Sequence, residues 1–391
     1  MARMDPSAQP AIGAAITPLR RVVTGTDSEG RSRVLFDGRA PNVNPGAIRP
    51  GTCMTDIWVY DGSPATIAGE RDDGRLPFSF EPPHQGGHLR IVQSPPRPAG
   101  YDPALDKTAV PLHEPRQRPG GTWDRGGANA YSSPVHKSET VDYGIMLRGE
   151  RVLLLDDGEY VMKPGDAVVQ LGNWHGWQNP REGSLMAFVM MGGKFDPPGS
   201  RPLPLQPALP PAGVRPVRRI VTIDDENGKS MALCDGPSPD VRLDPARPGY
   251  SATRIWVTDA TPAAMHRGAE TLGMQHTLEP PPGGSVCRMV ALPPEETLRG
   301  RIGEQEVRAF FQAMGSPSAS TYSARAPHPY MQRTQTLDLC LVVEGEVTLV
   351  LDTQQVRLRQ GDTVVQRGTN HAWSNHTTGP CILAISSHDA R

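Results

Sequence analysis

Residues 135–179 read VHKSETVDYGIMLRGERVLLLDDGEYVMKPGDAVVQLGNWHGWQN, and residues 331–375 read MQRTQTLDLCLVVEGEVTLVLDTQQVRLRQGDTVVQRGTNHAWSN. Laid over each other without a gap, at an offset of 196, they share an Asp ahead of an apolar run, Gly-Glu at the first turn, Gly-Asp before Val-Val-Gln, and His-x-Trp-x-Asn. Short apolar runs separated by turn residues predict strands, and Asp157-Gly158 between two such runs signals a tight hairpin. One aligned position changes its chemistry: His136 in the first copy is Gln332 in the second. The first copy alone keeps a full set of candidate metal ligands, which predicts one working site and one degenerate site.

Working outward, the duplication continues. Residues 20–38, RRVVTGTDSEGRSRVLFDG, match 218–236, RRIVTIDDENGKSMALCDG, at an offset of 198, and Ile57-Trp58-Val59 matches Ile255-Trp256-Val257. Two tandem modules follow: a tail over 1–17, an N-terminal module over 18–195, a proline-rich linker over 196–216 and a C-terminal module over 217–391. So much proline cannot continue a ladder or a helix, so the linker is expected to be extended and semi-rigid. The segment 98–130 is polar, rich in Gly and Pro and without periodicity, as expected of a long loop or a lid over a site. The paired arginines Arg20-Arg21 and Arg218-Arg219 open strands and are expected on an exposed edge.

At 391 residues the chain is long enough for two domains. Forty basic against 42 acidic residues, with no basic stripe, argue against a nucleic-acid partner. No apolar run is long enough to span a membrane or to form the core of a secretory leader. Five scattered cysteines do not make a disulfide framework, and a cytoplasmic location is expected. Proline (42) and glycine (41) suit many short strands joined by turns. No Ser-His-Asp order, phosphate-binding glycine loop or CxxC pair is present, so nucleophilic hydrolysis, nucleotide binding and structural zinc have no support.

The repeated block resembles the cupin family, and two blocks in tandem resemble a bicupin. Asp142, seven residues before Gly149, takes the place of the family's first-motif Glu. His136 takes the place of the first His, and Ser138 stands where a second His belongs. Pro164-Gly165, His175 and Asn179 loosely follow the second motif. The resemblance implies an all-β protein of two tandem jelly-roll barrels, joined by the proline-rich linker. It also implies that His136, Asp142 and His175 converge on one divalent ion, Fe(II) first and Mn, Ni or Zn as alternatives. Two imidazoles and a carboxylate suit non-haem iron, and the same set suits an open zinc site. Gln332, Asp338 and His371 are the second-module equivalents and are expected to hold no metal.

Gln170, Trp177 and Ser138 are candidates for contact with the substrate. An inward Gln in an apolar barrel needs hydrogen-bond partners, which a ligand can supply. The implied activity is a metal-dependent dioxygenase acting on a small oxygenated organic molecule. The alternatives are a non-oxidative lyase, isomerase or decarboxylase, or a metal-free binding bicupin. A small-molecule substrate is the expected partner, with a homodimer open.

Overall fold

The structure is a computed structural model and describes residues 13, 15–46, 50–179, 181–195, 205–265, 271–298 and 300–391. It is built of strands, with one α-helix of three turns, Glu304–Ala313, among the described residues. Two large sheets dominate. One runs, in spatial order, through Ser230–Pro237, Arg218–Asp224, Ala167–Leu171, Thr140–Gly149, Ser184–Lys194, Gly87–Ser94, Cys53–Tyr60 and Asn42–Pro45. The other runs through Asp240–Leu243, Ser251–Thr258, Ser285–Leu292, Cys381–Asp389, Thr336–Glu344, Thr363–Arg367, Arg20–Thr26 and Ser32–Arg39.

These orders reveal an exchange. The hairpin of residues 20–39 sits in the sheet of the C-terminal half, where Val22 pairs in parallel with Val364. The equivalent hairpin, 218–237, sits in the sheet of the N-terminal half, where Ile220 pairs in parallel with Val168. Each half therefore completes the other. The arginine pairs anchor the exchange instead of lining an exposed edge. Arg20 reaches both Asp37 of its own hairpin and Asp362 of the C-terminal half, and Arg218 repeats this with Asp235 and Asp166. Arg21 and Arg219 are buried, Arg21 against Asp72 at 2.6 Å.

Alternation along the central strands separates two cores. Val141, Tyr143, Ile145 and Leu147 face the layer between the two large sheets, together with Leu337, Leu339 and Leu341 of the opposite sheet. Met146, Val168, Met186 and Phe188 face the other way, toward Leu153, Met162 and Trp177 of a three-stranded sheet made of Glu159–Met162, Arg151–Leu154 and Gly176–Gln178. The C-terminal half repeats this layer with Gln355–Arg359, Glu346–Leu351 and His371–Ser374. The expected closed barrels do not form. Each large sheet stays open, because its outermost strands make no ladder with the small sheet that faces it.

The segment 98–130 is largely irregular, but Arg116–Gln117 and Trp123–Asp124 form a small sheet with His136–Lys137. Residues 196–204 of the proline-rich stretch lie outside the described residues, as does most of the tail over 1–17. Residues 205–216 carry neither strand nor helix. All five cysteines are free and buried. No helix among the described residues is long and apolar enough to cross a membrane.

Candidate functional site

The N-terminal half contains a cavity of about 450 Å³ between its large sheet, its three-stranded sheet and the loops above them. His136, Asp142, Gln170, His175 and Trp177 all line it. His136 and His175 face each other across a two-bond backbone bridge, His136 N–H donating to His175 O at 2.9 Å and the reverse at 3.0 Å. Their rings lie 4.4 Å apart between centroids. Nδ1 of His136 is 2.8 Å from the Pro134 carbonyl, and Nδ1 of His175 is 3.0 Å from the Asn173 carbonyl. A carbonyl accepts only, so each Nδ1 carries its proton and each Nε2 presents a lone pair. Burial pushes both imidazoles below their ordinary range, His175 well below it with the neighbouring His136 as the next cause. Both are therefore neutral and competent to accept.

Asp142 sits on Thr140–Gly149 directly opposite Gln170 on one side and Met190 on the other. Its Oδ1 has no protein partner, and burial pushes its carboxyl up to about 7. At Gly144, two along, a Cβ would come within 2.7 Å of the Met186 and Val168 side chains, so those neighbours would have to shift to admit one. Trp177 stacks edge-on to His175 and Phe188 and lies 5.0 Å beneath the Arg151 guanidinium.

Among the described residues no three His, Cys, Asp or Glu side chains lie close enough to hold an ion, so His136, Asp142 and His175 share a cavity without forming a three-ligand centre. The expected convergence needs one regular strand from 136 to 142. The chain breaks instead at Ser138-Glu139, which puts His136 on the small sheet under the loop and Asp142 in the middle of the large sheet. The two imidazoles alone keep the form of metal ligands, with each Nδ1 oriented by a backbone carbonyl. They fall one ligand short. Ser138 is buried and is not among the residues that line the cavity; its hydroxyl lies 2.9 Å from that of Thr140, and Thr334–Thr336 repeat the pair at 2.7 Å.

Several cavity residues escape sequence reading. Arg118 and Thr122 come from the segment 98–130, which thus roofs the site. Thr122 N–H donates to Glu81 at 3.0 Å, tying this roof to the loop before Gly87–Ser94. Arg151 lines the cavity where the second copy has Val347, a charged-for-apolar exchange visible in the alignment.

The C-terminal half shows what the His136-to-Gln332 difference means. The same backbone bridge joins Gln332 and His371. Gln332 Nε2 lies 3.3 Å from His371 Nε2 and donates to it, because His371 Nδ1 holds its proton against the Thr369 carbonyl at 2.9 Å. The remaining hollow, which Asp338 also lines, measures about 60 Å³. The Arg247 guanidinium lines it, 3.5 Å from the Tyr330 ring and 4.6 Å from Phe310 of the helix, held by Asp244 at 2.6 Å.

The family model for the cupin domain matches residues 323–386. The C-terminal region is similar to a cupin domain over these residues. Phomopsin biosynthesis cluster protein C' of Diaporthe leptostromiformis is 50% identical over 48 residues, 12% of this chain and 25% of that protein. The cupin-domain-containing oxidoreductase virC of Hypocrea virens is 46% identical over 48 residues, again 12% and 25%. The chain thus spans about a quarter of the length of these curated relatives. Among solved structures, a salicylate 1,2-dioxygenase mutant from Pseudoaminobacter salicylatoxidans aligns over 81% of this chain and 74% of that one, at 14% identity and a TM-score of 0.36.

Proposed function

We propose that the N-terminal cavity is the active site of a cupin-type oxidoreductase acting on a small oxygenated organic molecule. One observation carries this: the two halves share one backbone bridge, yet only the first keeps an open cavity of about 450 Å³ with two Nε2 lone pairs facing it. In the second half the equivalent lone pair is bonded and the hollow is about 60 Å³. Relatives named as cupin-domain oxidoreductases support an oxidation as the overall reaction.

The donor set is short of the 2-His-1-carboxylate centre that the family resemblance implies, so no step here runs through an ion. The chain's own groups bind, orient and move protons. Trp177 and Phe188 offer an apolar wall to the body of the substrate, and Arg151 supplies positive charge above it. The neutral imidazoles accept hydrogen bonds from hydroxyl groups. Asp142, with its carboxyl near 7, is able to give or take a proton at neutral pH. That last property also favours a second reading, a non-oxidative lyase, isomerase or decarboxylase.

The test is elemental analysis of protein purified without chelators, followed by oxygen-uptake and product assays with hydroxylated aromatic and dicarbonyl acids. Oxygen consumed in step with product supports the oxidoreductase. Product formed with no oxygen consumed supports the second reading, and no turnover of the whole panel counts against both.

A further inference from the structure

Gln170 and Gln366 occupy the same place in the duplicated sequence, and the structure treats them differently. Gln366 is built into the protein. Its Oε1 accepts from both the Thr24 and Thr369 hydroxyls, which lie 2.9 Å apart, so the two copies differ at the amide oxygen, while Nε2 lacks a protein partner in both. It lines no part of the C-terminal hollow. Gln170 has neither bond: its Oε1 and Nε2 are both buried without a protein partner, the residue is 1% exposed, and it lines the N-terminal cavity.

The cause is a single difference between the copies. Thr222, the counterpart of Thr24, stands directly beside Gln170 in the parallel pair brought in by the exchanged hairpin. Position 173, however, is Asn where position 369 is Thr. Asn173 Oδ1 takes the Thr222 hydroxyl at 2.7 Å, so the hydroxyl that would satisfy Gln170 is spent elsewhere. A buried amide oxygen left without a donor destabilises the folded chain. A cavity-lining group carrying such a cost in the folded chain is one that a ligand satisfies.

Resting on the active-site reading above, we infer that the Gln170 carboxamide, with the orphaned Asp142 Oδ1 on the neighbouring strand, recognises a substrate edge that sets a hydrogen-bond donor beside a carbonyl acceptor. Nε2 donates to the carbonyl oxygen, while Oε1 and Asp142 Oδ1 accept from the adjacent donor. An O–H beside C=O, as in an ortho-hydroxy acid or an enolised dicarbonyl, presents this edge. So does the N–H beside C=O of a lactam. Such a site rejects an analogue lacking the edge, because its own polar groups are then buried unpaired.

The experiment measures binding by titration calorimetry with 2-hydroxybenzoate, the lactam 2-pyridone and benzoate, which has no adjacent donor. The parent protein should bind at least one of the first two about tenfold more tightly than benzoate, the worth of one buried hydrogen bond. Gln170→Leu should erase that preference while keeping or raising the unfolding midpoint, because no protein hydrogen bond is lost. Gln366→Leu should lower the midpoint, since it removes the amide oxygen to which both hydroxyls donate, and leave the preference intact. A parent with no preference overturns the inference, as does a Gln170→Leu protein that keeps it or that loses as much stability as Gln366→Leu. If Gln170→Leu keeps the preference while His136→Ala abolishes turnover, the active site stands and the role of Gln170 falls. If His136→Ala leaves turnover untouched, the active-site reading itself falls.

Discussion

His136 and Gln332 are the residues on which the two halves part. Both sit on the same bridge, opposite His175 and His371, and both neighbouring imidazoles have Nδ1 tied to a backbone carbonyl. Only the partner of the remaining Nε2 differs. Converting the first half into a copy of the second should therefore silence it without unfolding it. His136→Gln is expected to place an amide N–H on His175 Nε2, lower turnover at least a hundredfold, and leave the thermal midpoint within a few degrees of the parent. A variant that keeps its turnover would show the imidazole to be dispensable. This asymmetry was legible in the sequence because it is a substitution at an aligned position. The placement of Asp142 was not: a sequence shows that 136, 138 and 142 share a parity, but not that the strand stops at Ser138-Glu139. The Ser138–Thr140 contact is hidden in the sequence for the same reason, since it becomes visible only when the break is known.

At the scale of elements, the exchanged hairpins do more than complete a sheet. The tip of the small-sheet hairpin in the N-terminal half, at Asp156, is clasped by Ser230 of the incoming hairpin. The Asp156 N–H donates to Ser230 Oγ at 2.9 Å, while Ser230 N–H and Oγ donate to Asp156 Oδ2 at 2.9 and 3.0 Å. Ser32 and Asp352 repeat the clasp at 2.7, 2.8 and 2.9 Å. Each Ser is buried, so its loss leaves an N–H and a carboxylate oxygen short of a partner. Ser32→Ala and Ser230→Ala should each cost about 1–3 kcal/mol in urea unfolding. The two costs should be nearly equal and should add in the double variant, because the clasps share no residue. Unequal costs, or a neutral variant, would mean that the exchange is held elsewhere. The duplication of the hairpins was readable from their shared offset, and their β character from the alternation. Their destination was not. A strand that alternates correctly satisfies its own half's sheet as well as the other's, and only the parallel registers at Val22–Val364 and Ile220–Val168 decide between them.

Across the whole molecule, the two large sheets meet through an apolar layer that also contains a few polar contacts, and one of these makes the junction sensitive to acid. His388, on the last strand of the C-terminal sheet, places Nδ1 2.8 Å from the Tyr60 hydroxyl of the N-terminal sheet and Nε2 2.9 Å from the Ser386 hydroxyl. Burial holds this imidazole down at about 3, from an ordinary value of 6.5. The ionisable groups nearest the junction, Tyr60 and Tyr143, are pushed upward by burial and stay neutral in acid. In the unfolded chain the imidazole takes its proton near 6.5, whereas in the folded protein it resists until about 3. Between those values the unfolded state binds more protons, so stability rises with pH there and is lost as pH falls. The contribution is fully present above 6.5 and declines steadily below it. At about 1.4 kcal/mol per tenfold change in proton affinity, the total at stake is on the order of 5 kcal/mol. His388→Gln keeps polar atoms near Tyr60 and Ser386 but cannot take up the proton. Its unfolding free energy, measured beside the parent at pH 7, 6, 5 and 4, should start lower and then fall less steeply, so that the two curves converge in acid. Parallel curves across that range would show that His388 carries no charge penalty, and that the acid sensitivity of the junction lies in other groups.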